Sequence, residues 1–318
     1  MGRYILKRLL WMIPVIIGVT ILIFTIMYSI PGEPVSLMLG PEATHAQIAA
    51  KRQALGLNDP YLVRLGRFVG GIVLHFDFGD SWVYHTPVTT ELLHRLPRTL
   101  TIAALCIAMQ VLLGIPLGII AAVKQDTWID RIAMFTALFG ISMPNFWIAL
   151  MLVLLFSVRL GWLPPYGISG WQYYVLPVVA NGFVGVATQA RQTRSSMLEV
   201  IRSDYIVTAR AKGMSEFRVL LRHALPNALL PVITVIGNGM GRMLAGTVVI
   251  ESIFSIPGVG MYLVGGINSR DYAVVQSSVI FLAMAFTLVM LLVDLAYAFI
   301  DPRIKAQFAG RKRRKQYA

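Results

Sequence analysis

Residues 9–30 read LLWMIPVIIGVTILIFTIMYSI, 22 consecutive positions without a charge. At 1.5 Å per residue a helix of this length measures ~33 Å and covers the ~30 Å hydrocarbon layer of a bilayer. The basic flank ahead of it (Arg3, Lys7, Arg8) is that of a secretory leader. The apolar run, however, exceeds the ~7–15 residues of a leader core, so a retained span is expected. Working outward, five further apolar stretches appear: 99–123, 132–158 with Pro144 inside it, about 171–188, about 225–250, and 274–300. The fourth is the shortest and carries Pro177, Asn181, Gly182 and Gly185. The fold expected is all-α and integral to a membrane, with six transmembrane helices.

Composition agrees. The 318 residues are 57% hydrophobic and 14% charged, against about 45–50% and about 25% in soluble domains. The net charge of +13 would suggest nucleic acid in a soluble chain, but here it reads as sidedness. With the N-terminus inside, 19 of the 28 Lys and Arg residues fall in inner connections, as retention of positive charge on the cytoplasmic side requires. Six of the others sit in one long outer loop, where the rule is weak. Both termini are therefore expected in the cytoplasm, with no nucleic-acid partner. Cys106 is the single cysteine, so neither an intrachain disulfide nor a cysteine-based zinc site can form. No metal site and no catalytic residue is expected.

The chain divides into residues 1–30 with the first span, an extracytoplasmic element at 31–98, and a five-span core at 99–318. The outer element combines Pro/Gly turns at 31–34 and 58–60 with a helical stretch near 46–55 and the aromatic piece His75-Phe76-Asp77-Phe78-Gly79. It is too apolar for disorder. The core contains a polar inner loop at 189–224 and a basic tail at 303–318 that suits contact with membrane lipid. Within the loop, Ser196 and Glu199 have capping-box spacing, so a helix is expected to start there. Ser203-Asp204 caps a second helix through Lys212, Gly213 supplies a left-handed stop, and Ser215 caps a further helix ending near Pro226. A rigid helix–glycine–helix unit can transmit force from a partner. The competing reading is an amphipathic segment lying on anionic lipid through Arg202, Arg210, Lys212, Arg218 and Arg222.

The residues DYIVTARAKGMSE (204–216), followed by RHALPNALLPV (222–232), resemble the EAA loop of ABC-importer permeases, in the form found in the dipeptide, oligopeptide, glutathione and nickel import family. Against the general pattern EAA-x3-G-x9-I-x-LP the chain matches at Ala209, Gly213, Leu225 and Pro226 and departs at Val207, Thr208 and His223. Further matches are Pro31-Gly32-Glu33-Pro34, Phe78-Gly79, the stretch Arg194 to Glu199, Glu251-Ser-Ile-Phe-Ser-Ile-Pro257-Gly-Val-Gly260, and Asp301-Pro302-Arg303. The resemblance implies a type I ABC importer permease fold in a bacterial inner membrane. It also implies a second related permease, two ATPase subunits that hold ATP and Mg, and an extracytoplasmic binding protein. Ala209, Arg210, Ala211, Lys212, Gly213, Met214, Ser215 and Glu216 would form the helix that couples to an ATPase, with Leu225 and Pro226 shaping the loop. This chain would bind no cofactor itself. It contains no Gly-Lys dipeptide and hence no P-loop.

Charges within spans are costly and mark a path or a pair. On a 1.5 Å rise, Arg242 lies about 6 Å outside the midplane and Asp294 about 9 Å inside it, which disfavours their pairing. Asp294 is expected to face Arg191 or Arg194 in preference to substrate. Arg242 has two readings of equal weight: a bidentate contact to a peptide carboxylate, or a guanidinium reaching for the outer headgroups. Gly237, Asn238, Gly239, Gly241 and Gly246 suit close helix packing first and room for cargo second. Asn145 and Asn181 read as helix-to-helix hydrogen bonds before binding groups, and Glu251 as part of an outward-facing turn. The translocation-path candidates are Arg242, Asn238, Asn181, Glu251 and Asp294. Small peptides are the expected cargo, with nickel or another small solute as the alternative. A secondary transporter is the reading outside this class, and it lacks an evident inverted repeat.

Overall fold

Apolar runs become helices because a backbone in hydrocarbon must satisfy its N–H and C=O groups internally. The computed structural model describes residues 2–30, 34–40 and 42–300. The turn at 31–33, the tail at 303–318 and the side chain of Asp294 lie outside the described residues. In chain order come α1 (Gly2–Ser29), α2 (Pro34–Leu39), α3 (His45–Ala54), α4 (Tyr61–His75) and α5 (Val88–Met109). A π-helical turn, Gln110–Gly114, leads into α6 (Ile115–Val123). Next are α7 (Trp128–Ser142), α8 (Asn145–Leu152) with its π-helical extension Val153–Arg159, α9 (Gln172–Ile201), α10 (Asp204–Ala211) and α11 (Glu216–Arg218). A third π-helical turn, Val219–Ala224, opens α12 (Leu225–Ile253), followed by α13 (Val259–Asn268) and α14 (Tyr272–Ile300).

Among the described residues, four helical stretches are long and apolar enough to cross a membrane alone: Arg8–Ser29, Val88–Val123, Pro231–Ile253 and Tyr272–Val293. The expected third span is not one rod. Its halves, Trp128–Ser142 and Asn145–Arg159, meet at 107°. Met143 is extended (φ −91, ψ 133) because a residue before proline is pushed out of the α region, so Pro144 opens a helix and does not sit inside one. The expected fourth span lies within α9, which continues to Ile201 and is too polar to qualify by composition. Its polar residues Asn181, Gln189, Thr193 and Ser196 are buried, and the helix packs against α6, α7, α8 and α12. Protein, more than lipid, is its solvent.

Two π-helical turns share a cause. Pro116 and Pro226 lack an N–H and would press their rings on the carbonyls of Leu112 and Arg222, and both carbonyls lie in widened turns. The helix expected to end near Pro226 therefore runs on into α12. Similarly, no helix starts at Ser196. That residue is inside α9, and its hydroxyl accepts from Gln192 Nε2 at 3.2 Å.

The chain forms two compact units, Met1–Thr99 with Pro257–Leu288, and Leu100–Ile256 with Val289–Ala318. The first has a core of Ile72, Phe78, Leu92, Val259, Ile280 and Phe281, fastened by the buried Asp271. Its carboxylate accepts from Ser81 Oγ at 2.6 Å and from the amides of Val83 and Val274 at 3.1 and 3.2 Å. In the second unit one cluster gathers Ile102, Cys106, Leu176, Met243, Ile250 and Phe254. Another, of Met197, Ile206, Ala209, Val219, Ala224 and Ala228, seats the loop between α9 and α12.

Candidate functional site

The loop between α9 and α12 is a folded unit. Ser203 is extended (φ −74, ψ 150) and precedes α10, but its hydroxyl donates back to the carbonyl of Val200 at 2.6 Å and does not cap α10. Gly213 takes φ +75 and its amide bonds the carbonyl of Arg210 at 2.9 Å, the left-handed stop read from sequence. Across this turn Arg210 Nε and Nη2 meet the two carboxylate oxygens of Glu216 at 2.7 and 3.4 Å. Ile206 and Ala209 are buried, with Met214 packed beside them. Tyr205, Val207 and Phe217 stay exposed, Phe217 at 74%. A Cβ added at Gly213 would meet nothing within 4 Å, so the outer side of the turn is open.

An ion pair anchors this region. Arg194, near the end of α9, meets Asp130 in the first turn of α7 with both arms, Nε to Oδ1 at 2.5 Å and Nη2 to Oδ2 at 2.6 Å. The Asp126 amide adds a bond to Oδ2 at 3.0 Å. Asp130 precedes the apolar run that begins at Ile132, and the guanidinium and that amide together satisfy both oxygens of its buried carboxylate. The sequence expectation set Asp294 against Arg191 or Arg194, and the side chain of Asp294 lies outside the described residues. The partner that Arg194 has among the described residues is Asp130, and an aspartate beside the apolar run was the available signal for it.

Within the spans the candidates separate. Asn181 is buried, accepts from Asn145 Nδ2 at 3.1 Å and donates to the carbonyl of Met243 at 3.4 Å, the helix-to-helix role. A Cβ at Gly246 would come within 2.5 Å of Asn181 Oδ1, and one at Gly239 within 3.1 Å of Gln110 Oε1. These two glycines are thus spent on packing inside the chain. Glu251 is fully buried, not exposed on an outward-facing turn, and its carbonyl accepts from the Ile256 amide at 2.9 Å. Asn238 and Arg242 are exposed, as are Ala245 and Val249. Spacings of four, three and four put them on one stripe of α12.

A second polar pair was missed. Gln110 Nε2 donates to Gln189 Oε1 at 2.9 Å, and Gln189 Nε2 makes long bonds to Thr193 Oγ1 and the Val232 carbonyl at 3.4 Å. Gln110 Oε1 has no hydrogen-bond partner. A lone glutamine in an apolar run was the signal for it.

This architecture, apolar helices around a polar central helix with a rigid loop unit left open, is that of a membrane transport subunit, and comparison with known proteins defines which kind. Residues 114–306 match the family described as "Binding-protein-dependent transport system inner membrane component", and residues 1–103 match its N-terminal counterpart. The chain belongs to this family. It is 42% identical to the dipeptide transport system permease protein DppB of Alkalihalophilus pseudofirmus, over 96% of this chain and 100% of that one. It is 43% identical to the glutathione transport system permease protein GsiC of Salmonella paratyphi A, over 96% and 99%. The fold is shared with an inward-facing MetNI methionine ABC transporter (TM-score 0.55, 16% identity, covering 66% of this chain and 96% of that one). It is shared as well with an amino acid ABC transporter (TM-score 0.51, 17% identity, 68% and 94%). The expected ABC importer permease fold is the fold present, and the chain is a transport subunit of an inner membrane.

Proposed function

We propose that this permease forms half of the translocation path for small peptides, di- or oligopeptides or glutathione, beside a second related permease. The observation that carries the cargo class is the 42–43% identity with dipeptide and glutathione permeases across 96% of the chain. Two separate ATPase subunits drive it and hold the ATP and Mg, and an extracytoplasmic binding protein delivers the cargo. The inner face is the one that carries the loop unit, with both termini on that side, because the basic connections cluster there. Residues 209–216 dock on an ATPase, and the exposed Phe217 and Val207 give that contact apolar anchors. The stripe of Asn238 and Arg242 lines the path, where a guanidinium can take a peptide carboxylate with two parallel hydrogen bonds.

The test is Gly213→Val in the assembled transporter. The side chain meets open space, so the local cost is the left-handed backbone, about 1–2 kcal/mol. Insertion and folding should survive while ATPase association and peptide uptake fall sharply. Uptake at the parental rate would remove the coupling role. Arg242→Leu should lower uptake of carboxylate-bearing peptides with assembly intact. Transport by the permease pair without ATPase subunits would overturn the reading as a whole.

A further inference from the structure

Where α1 gives way to the polar chain, the first unit encloses an open cavity of about 600 Å³. Part of its lining is apolar. Phe24 and Met27, in the last turns of α1, contribute to it with Phe68 of α4, and the rings of Phe24 and Phe68 stack at 5.9 Å. The rest is charged, with Arg52, Arg64 and Arg67 lining the same space as Asp77 and Asp80.

The three arginines differ. Arg67 Nη2 meets Asp59 at 2.6 Å, and Arg52 Nε donates to Asn58 at 3.1 Å. Arg64 is half-buried, lies over the ring of Tyr28 at 5.2 Å, and makes one long bond to the Leu57 carbonyl at 3.4 Å. Among the described residues it forms no ion pair. A cation partly removed from water without a counterion carries a desolvation cost that a bound anion would offset.

Position says which anion. Leu22 and Ile26 on α1 are exposed, as on a helix surrounded by lipid, and the cavity lies at the end of that apolar stretch. Tyr28, Trp82 and Tyr272 collect in its lining, the ring types that settle at a membrane–water boundary. The phosphodiester layer of a bilayer lies at that depth whichever way the chain is oriented. Acidic residues in the lining disfavour a second negative charge and suit an ammonium with N–H donors.

We propose that this cavity binds the headgroup of an aminophospholipid, with its phosphodiester on Arg64 and Arg52, its ammonium on Asp77 and Asp80, and its chains against Phe24 and Met27. The site stands apart from the transport reading, since it rests only on α1 crossing the membrane.

Native mass spectrometry of the delipidated full-length chain tests it, with phosphatidylethanolamine, phosphatidylcholine and water-soluble glycerophosphoethanolamine as probes. Phosphatidylethanolamine should bind roughly tenfold more tightly than phosphatidylcholine, whose quaternary nitrogen has no N–H to give a carboxylate. Arg64→Gln should weaken both lipids by a similar factor, and Asp80→Asn should erase the preference while leaving phosphatidylcholine bound. Equal wild-type affinity for the two lipids would overturn the proposal, as would an Arg64→Gln chain that binds like wild type. Glycerophosphoethanolamine binding as tightly as the lipid would make the ligand a soluble phosphodiester and overturn the lipid assignment. Should Arg64→Gln fail to fold, the wild-type series and Asp80→Asn still decide.

Discussion

Asp271 in the first unit and Gln110 in the second are both at most 1% exposed, yet their polar atoms end differently. Asp271 gathers a hydroxyl and two amides, and its neighbour Ser277 bonds the Phe78 carbonyl at 2.8 Å. Gln110 bonds through its nitrogen and leaves Oε1 unpaired, beside Gly185 and Gly239 and at the start of a π-helical turn. A closed network defines one geometry, while an amide with a spare acceptor among glycines has more than one geometry of similar energy. The Asp271 site is fastened by a full set of partners. The Gln110 site keeps an unpaired acceptor, and further along α9 a closed pair returns in Asp130 and Arg194.

Asp130→Ala should have the largest effect, because it leaves Arg194 without its counterion. A loss of about 3 kcal/mol or more is expected in detergent unfolding of the purified chain.

Asp271→Ala comes next, at about 2–3 kcal/mol, since Ser81 and two amides lose their acceptor. Gly185→Ala should cost about 1–3 kcal/mol, because a Cβ there runs into Met243 and comes within 2.8 Å of Gln110 Oε1. Gln110→Leu is the smallest. It removes an unpaired acceptor along with one good bond, and the stability change should stay within about 1 kcal/mol. A Gln110→Leu cost equal to that of Asp271→Ala would erase the distinction between the two sites. A small cost accompanied by altered uptake would sharpen it.

The parts read correctly from sequence are those decided locally. Residues 9–30 become α1 because 22 uncharged residues leave a backbone in lipid no alternative, and Gly213 takes the left-handed turn between two helix-prone segments. The capping-box spacing shows where local reading stops. Thr44 and Gln47 form a true box ahead of α3, with Gln47 Oε1 accepting from the Thr44 amide at 2.9 Å. Ser196 and Glu199 have the same spacing and form none. Upstream of Ser196 the chain is already helical, held by packing on four other helices, so no free helix end exists for a cap to satisfy. The ion pair of Asp130 with Arg194 and the amide pair of Gln110 with Gln189 join residues 64 and 79 positions apart. Span boundaries fix the depth of such groups but not their azimuth, and it is azimuth that chooses partners.

The elbow at Met143–Pro144 has a mechanical meaning beyond its angle. Its first arm is tied to α9 at Arg194 through Asp130, and its second at Asn181 through Asn145. The two ties stand thirteen residues apart, about 20 Å along one helix. The first pin is at the start of the first arm and the second is at the corner itself, so that arm is held to one beam at both ends. A rod pinned at two points cannot swing, and the first arm and α9 turn as one body.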